Sequence, residues 1–223
     1  MELEVSQQES HSSSFRLIAT LGIAGFFSGL ALVGVYLITL PIIEADKAKA
    51  LKEAVFHVVP GSHSFQTLVL QNGKLLAQET DNSGKQKKSS GEAERIFACY
   101  DESKTLLGFA IPGSEPGFQD VIQGIFGYDS GKKIIIGFEV LQSRETPGLG
   151  DKIIKDKNFR ANFTALSIIP ELIPVKPGAK QQENQVETIT GATISSKAVV
   201  RLLQKSINRW RPAIEGWFQW ENQ

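Results

Sequence analysis

The sequence predicts an α+β fold, with one N-terminal membrane-spanning helix followed by one soluble domain that has an antiparallel sheet and flanking helices. Three observations carry that expectation. The stretch Leu17–Ile43 contains no Asp, Glu, Lys, Arg or His. Turn signals recur beyond it, at Asn72-Gly73 and Asp129-Ser130-Gly131, and hairpins in series build antiparallel sheets. Near the end of the chain, Ala198, Val199, Leu202, Leu203, Ile207 and Trp210 fall close to one helical face, as a helix packed on a sheet requires.

Taken in order, the chain divides into a leader (1–16), a membrane helix (17–43) and a large domain (44–223). A hydrocarbon core about 30 Å thick needs roughly 20 apolar residues in helical form, so the 17–43 run is long enough to span with some tilt. A cleaved signal sequence is the alternative. Its apolar region usually covers only about 7–15 residues, and the leader offers Arg16 alone as a firm positive charge. Gly25 and Gly29 form a Gly-x-x-x-Gly pair, either a close-approach face for another helix or the ordinary glycine content of membrane helices. Arg16 precedes the run, while Lys47, Lys49 and Lys52 follow it among Glu44, Asp46 and Glu53. That bias weakly favours a cytoplasmic domain.

Ala45–Val58 reads as a polar-faced helix ending before Pro60-Gly61. Ser64–Leu70 and Lys74–Ala77 flank the Asn72-Gly73 turn, and Asp81–Gly91 is a polar loop. Strands are expected at Ile96–Tyr100, Thr105–Ile111, Val121–Tyr128 and Lys132–Leu141. Phe159–Leu166 reads as part of a helix, and Pro170, Pro174 and Pro177 make the next segment extended and loop-like. The terminal helix is expected from about Ser196, with Ser195 and Ser196 as possible N-caps, to just before Pro212. Trp217, Phe218 and Trp220 follow, able to cap the core, meet a partner or rest at a membrane interface.

Composition narrows the function classes. With 24 basic and 24 acidic residues, the chain has neither the basic excess of a nucleic-acid binder nor an acidic tail. A single cysteine, Cys99, excludes an intrachain disulfide, a self-contained iron–sulfur cluster and a c-type haem. Close to Phe97 and Tyr100 in sequence, it reads as a small core residue and not a reactive thiol. His11, His57 and His63 lack companions at ligand spacing, so no metal site is expected. Gly148-Leu149-Gly150 opens like a dinucleotide fingerprint, but Ile153 fills the third glycine position and the strand–turn–helix context is missing.

Two motifs carry the chemistry. Glu187-Thr188-Ile189-Thr190-Gly191-Ala192-Thr193 leads into Ser195, Ser196 and a run of helix formers. By residue type alone this is a polar turn before a capped helix, with Thr193 just outside the helix start, where a phosphate is well received. It closely resembles the flavinylation motif of the FMN-binding domain family, in which an acidic residue precedes Ser/Thr-Gly-Ala-Thr. Glu187 stands where that family more often has Asp. The second motif, Glu145-Thr146-Pro147-Gly148-Leu149-Gly150, follows the β-branched run Ile134–Leu141 and alone reads as a loop. At this distance from the first motif it resembles the G subunits of Rnf complexes and the C subunits of the sodium-pumping NADH:quinone reductase. The likeness runs from about Gly117 to Leu203 and more loosely over the anchor.

The resemblance implies covalent FMN, joined through a phosphoester at Thr193 by a separate magnesium-dependent flavin transferase that uses FAD. Thr190, Gly191, Ala192 and Ser195 would surround that attachment. Thr146 would hydrogen-bond the ring, Leu149 would pack on it, and Pro147-Gly148 would fix the turn. Glu145 is either a polar contact or a structural cap. Lys176 would lie beside ring or phosphate, unless it is a surface lysine, and Phe118 is a stacking candidate or a core residue. The implied protein is a flavin-carrying relay in a membrane Rnf-type complex, associated with ferredoxin/NAD electron transfer and ion movement. It would have membrane and iron–sulfur subunits as partners, no complete turnover alone, and its domain on the outer face of the cytoplasmic membrane. The equivalent flavin subunit of a sodium-pumping quinone reductase, a stand-alone outward-facing carrier and a non-redox membrane assembly protein are the other readings.

Overall fold

A computed structural model describes residues 11–78 and 95–221 of the chain, with side chains described for 15–78 and 95–217. The expected Asp81–Gly91 loop and most of the leader lie outside the described residues. The chain divides into two compact units, Met1–Lys49 and Ala50–Gln223.

The first helix, α1, spans His11–Val58 and joins the expected anchor to the expected polar-faced helix without a break. Its Phe15–Val58 portion holds a stretch apolar enough to cross a membrane, with mean hydropathy 2.2 over an 18-residue window, none of which is buried. Leu21, Ile38 and Phe26 have exposed side chains, an arrangement that water disfavours and a hydrocarbon layer satisfies.

The second unit is built on a seven-stranded sheet in which every pairing is antiparallel. Its strands are β1 (Ser64–Gln71), β2 (Lys74–Ala77), β3 (Arg95–Tyr100), β4 (Leu106–Pro116), β5 (Val121–Asp129), β6 (Ile134–Gln142) and β7 (Leu166–Ser167), in the order β2-β1-β3-β4-β5-β6-β7. Asn72 and Gly73 both take positive φ, 52° and 79°, as a two-residue hairpin turn of type I′ demands. Alternation along the strands gives the sheet two buried faces. Ile96, Ala98, Phe109, Ile111 and Phe126 face the terminal helix α4 (Thr193–Glu221), meeting Val199, Leu202, Leu203 and Ile207. Phe97, Cys99, Ala110 and Ile125 face the other way, under Ala54, Val55 and Val58 at the end of α1.

Four expectations are corrected. β4 continues to Pro116, five residues past Ile111, because it pairs with β5 as far as Pro116↔Val121. The helix expected over Phe159–Leu166 is a single turn, α3 (Lys157–Ala161), after the equally short α2 (Lys152–Lys155). The Asn162 amide closes α3 by donating to the Asn158 and Phe159 carbonyls at 3.2 and 3.0 Å, and Leu166 then joins the sheet edge. The proline-rich segment contains a strand, β8 (Ile173–Val175), paired in parallel with β9 (Gln185–Glu187). The fourth correction concerns α4, which begins at Thr193 and runs through Pro212. Proline removes one helical hydrogen bond, but Ile214 is fully buried and Trp217 meets Phe109 edge-on at 5.7 Å, so core packing holds the helix past it. Trp217 thus caps the core; the side chains of Phe218 and Trp220 lie outside the described residues.

Cys99 is wholly buried, as expected of a core residue, and burial pushes its thiol up to about 12 despite a backbone hydrogen bond from Ala110 that favours the thiolate. Alkylation needs thiolate and access. Iodoacetamide at mild alkaline pH should therefore leave the folded chain unmodified and label it stoichiometrically in denaturant, as read by intact mass.

Candidate functional site

The second motif loop leaves β6 and folds on itself, the Thr146 carbonyl accepting from the N–H groups of Leu149 and Asp151 at 3.2 and 3.3 Å. The first motif leaves β9, where the Thr188 N–H and hydroxyl both donate to the Val175 carbonyl at 2.8 and 2.9 Å. Gly191 then turns with φ of 81°, a left-handed conformation that glycine adopts without strain. The turn delivers the chain directly into α4. A Cβ built on Gly191 would lie 3.6 Å from Leu149 Cδ2, so the two motifs, 42 residues apart in numbering, meet here.

Hydroxyl placement is the most telling feature. Thr193 is the first helical residue, not a residue outside the helix, and it is exposed, as is Thr190. Neither makes a side-chain hydrogen bond to another described residue. Ser195 and Ser196 are not N-caps; both are buried. Ser195 donates to Glu145 Oε2 at 2.5 Å, while Ser196 donates to the Ala192 carbonyl at 2.8 Å and accepts from the Ile189 N–H at 3.1 Å. Helix geometry explains the contrast. Two residues at about 100° each turn Ser195 some 200° from Thr193, so fixing one inward turns the other outward. Ala192 is buried and anchors the turn.

Glu145 lies at the centre of this arrangement, 6% exposed. Its Oε1 accepts from the backbone N–H groups of Phe118, Gln119 and Asp120 at 3.0, 3.0 and 3.5 Å. Burial opposes its ionisation, but the Ser195 hydroxyl and those three N–H groups outweigh burial and hold its carboxyl below the usual range. Its contribution to stability is therefore in place above the unfolded value and is lost as pH falls through the depressed folded one. Within the chain, the carboxylate thus caps the 118–120 amides and receives the Ser195 hydroxyl.

The remaining candidates are distributed around this centre. Thr146 is half-buried and its hydroxyl donates to Gln119 Oε1 at 3.1 Å. Leu149 and Phe118 are 50% and 66% exposed, so Phe118 is not a core residue. Gly148 takes φ of 77° in open space. Lys176 is exposed, at the same end of the parallel β8–β9 pair as the Thr188–Thr193 segment. Glu187 turns toward that neighbourhood: its Oε1 accepts from the Gly178 and Lys180 N–H groups at 3.0 and 3.4 Å, fixing the turn that carries Lys176.

Sequence reasoning missed two supports. Glu115, 6% exposed, pairs with Arg201 Nε at 3.0 Å and Lys205 Nζ at 2.7 Å, tying β4 to α4. Burial raises its proton affinity, but hydrogen bonds and charge from Lys205 and Arg201 win and lower it. Asn162 Oδ1 accepts from the Glu187 N–H at 3.1 Å and sets the end of β9. Neither pairing has a signature, since each joins residues far apart in sequence. Among the described residues, no group of three or more His, Cys, Asp or Glu side chains could hold a metal ion.

The arrangement can hold a phosphorylated ligand with a flat apolar part. It offers an exposed hydroxyl two residues after Gly191, the first turn of a 29-residue helix whose N–H groups favour an anion, and exposed Leu149 and Phe118.

Comparison with known proteins agrees with this geometry. Residues 117–208 match the model of the FMN-binding domain. The chain is 28% identical to the G subunit of the Na(+)-translocating ferredoxin:NAD(+) oxidoreductase complex of Acetobacterium woodii, over 93% of this chain and 96% of that one. It is 26% identical to the G subunit of the ion-translocating oxidoreductase complex of Methanosarcina acetivorans, over 86% and 92% respectively. In fold it resembles the C subunit of the Na(+)-translocating NADH-quinone reductase from Parabacteroides distasonis, with TM-score 0.59 and 21% identity over 79% of this chain and 96% of that one.

Proposed function

We propose that this chain, whose residues 117–208 match the model of the FMN-binding domain, is the flavin-carrying G-type subunit of a membrane ion-translocating oxidoreductase of the Rnf type. The observation that carries the site assignment is the division of hydroxyls: Thr193 is exposed at the start of α4, whereas Ser195 and Ser196 are buried and engaged. Thr193 holds FMN through a phosphoester. A flavin, when bound, takes up and returns electrons singly or in pairs, which suits a relay between unlike redox centres.

The chain's own residues then have separable tasks. Thr193 prevents dissociation, since a covalent ester cannot wash away. Gly191 and Ala192 keep bulk away from the approach to that hydroxyl, and the first-turn N–H groups of α4 with Lys176 offset phosphate charge. Leu149 and Phe118 supply apolar cover, Thr146 a polar contact, and Gly148 the turn between them. Thr190 flanks the attachment point. Ser195 acts from inside, through Glu145.

Support for the G-type reading over the quinone-reductase type comes from the named relatives, which cover 86% and 93% of this chain; the likeness to the quinone reductase is one of fold. The apolar run of α1 anchors the chain as a single span over 17–43, with 44–223 outside the cytoplasm. Other membrane and iron–sulfur subunits are its partners and a flavin transferase matures it.

The test is membrane expression with a flavin transferase. The denatured chain should remain fluorescent in a gel, carry FMN mass on the Thr193 peptide, and co-purify with integral membrane subunits; a reporter fused after Pro60 should behave as exported. A chain that assembles into such a complex without any covalent flavin would favour the assembly-protein reading, and cytoplasmic reporter activity would reverse the topology.

A further inference from the structure

We propose that Glu145 is a positioning residue that locks three separate segments into one flavin-bearing face and does not itself contact the flavin. The segments are the 117–120 turn carrying Phe118, the 145–150 loop carrying Leu149, and the first turn of α4 carrying Thr193. This rests on the flavin-carrier reading for its purpose, while its geometry stands independently.

The carboxylate is bound from both sides. Oε1 receives the consecutive N–H groups of Phe118, Gln119 and Asp120, and Oε2 receives the Ser195 hydroxyl. The chain leaves space for it at two glycines. A Cβ on Gly117 would collide with Oε1, and one on Gly150 would stand 2.6 Å from Oε2 and 3.0 Å from Ser195 Oγ. Glu145 and Ser195 are 6% and 2% exposed, so the carboxylate's polar contacts are spent inside the protein. A charged group bound by several donors in a dry site is geometrically exacting. Inward fixation of Ser195 sets the rotation of the first helical turn and directs Thr193 outward. Fixation of the 118–120 amides sets where exposed Phe118 begins, and the loop itself brings Leu149 against Gly191.

Three variants in the full-length chain separate this role from simple stability. In flavin-free protein, Glu145→Ala should raise hydrogen exchange of the Phe118, Gln119 and Asp120 amides about tenfold or more, while the Ile125 and Phe126 amides of β5 keep wild-type protection. In protein loaded with FMN, the same variant should keep the label on Thr193 but be quenched by iodide severalfold faster. Glu145→Gln retains an oxygen for the three N–H groups and an amide for the Ser195 oxygen, so it should restore both readouts toward wild type. Ser195→Ala should leave the 118–120 amides protected yet raise quenching, because only the helix side is released; it also carries the test should Glu145→Ala unfold the sheet. Wild-type exchange at 118–120 in Glu145→Ala overturns the clamp. Faster exchange with unchanged quenching overturns its positioning role. A chain whose amides respond but which takes no covalent flavin overturns the carrier reading, and with it the purpose given to Glu145.

Discussion

Thr193→Ala is expected to abolish covalent flavin completely. Attachment requires a hydroxyl presented to another protein, and the structure leaves few to present: Thr188 is buried and donates to the Val175 carbonyl, and Ser195 and Ser196 are buried and engaged. Thr190 is the exposed competitor. It sits before the Gly191 turn, away from the helix N-terminus that stabilises phosphate, so Thr190→Ala should keep the label. Thr193→Ser keeps the hydroxyl and should retain partial labelling. Stability should hardly change in Thr193→Ala, by at most about 1 kcal/mol, because an exposed first-turn side chain makes no packing contact to lose. Peptide mass and in-gel fluorescence read the label, and thermal unfolding reads the rest. Flavin found on Thr190 in the Thr193→Ala chain would move the attachment point.

The second large effect concerns the sheet. Gly127 and Gly137 pair across β5 and β6, and the end of α1 lies against them. A Cβ on Gly137 would stand 2.6 Å from the Val58 carbonyl oxygen and 2.8 Å from its Cα, and one on Gly127 would collide with the same carbonyl. A backbone carbonyl cannot rotate aside as a flexible side chain can. Gly137→Ala should therefore destabilise by about 3 kcal/mol, the upper part of the range for overpacking, by lifting Val55, Val58 and Val59 off Phe97 and Ile125. Cys99 lies in that same layer and reports the loss directly, becoming open to maleimide in the folded variant. Gly216→Ala is the control. It lies within α4 with nothing within 4 Å of a built Cβ, so alanine there should stabilise by up to about 1 kcal/mol. Equal denaturation midpoints for Gly137→Ala and wild type would mean the helix end is free to move away.

Much of this protein was legible because its signals are local. An uncharged run longer than a bilayer core, Asn72-Gly73 between alternating strands, and a five-residue apolar face before Trp210 each depend only on neighbours in the chain. The motif residues were legible for the same reason, and the resemblance added what their chemistry could be for. Boundaries failed where long-range packing outvoted a local rule. β4 runs on to Pro116 because β5 pairs with it, and α4 passes Pro212 because Ile214 and Trp217 pack into the core.

By itself, then, the sequence determined the class of fold, the apolar helix and the two motif loops of the candidate site. Tertiary structure alone decided which hydroxyl is offered and what holds it. Ser195 and Thr193 are equivalent as residue types two positions apart; only the arrival of Glu145, from 50 residues upstream, turns one inward and so the other outward. Glu115 with Arg201 and Lys205, and Val58 over Gly127 and Gly137, were hidden likewise. Periodicity records what a residue does relative to its own helix or strand, whereas a buried carboxylate finds its donors wherever the folded chain brings unsatisfied N–H and O–H groups within reach.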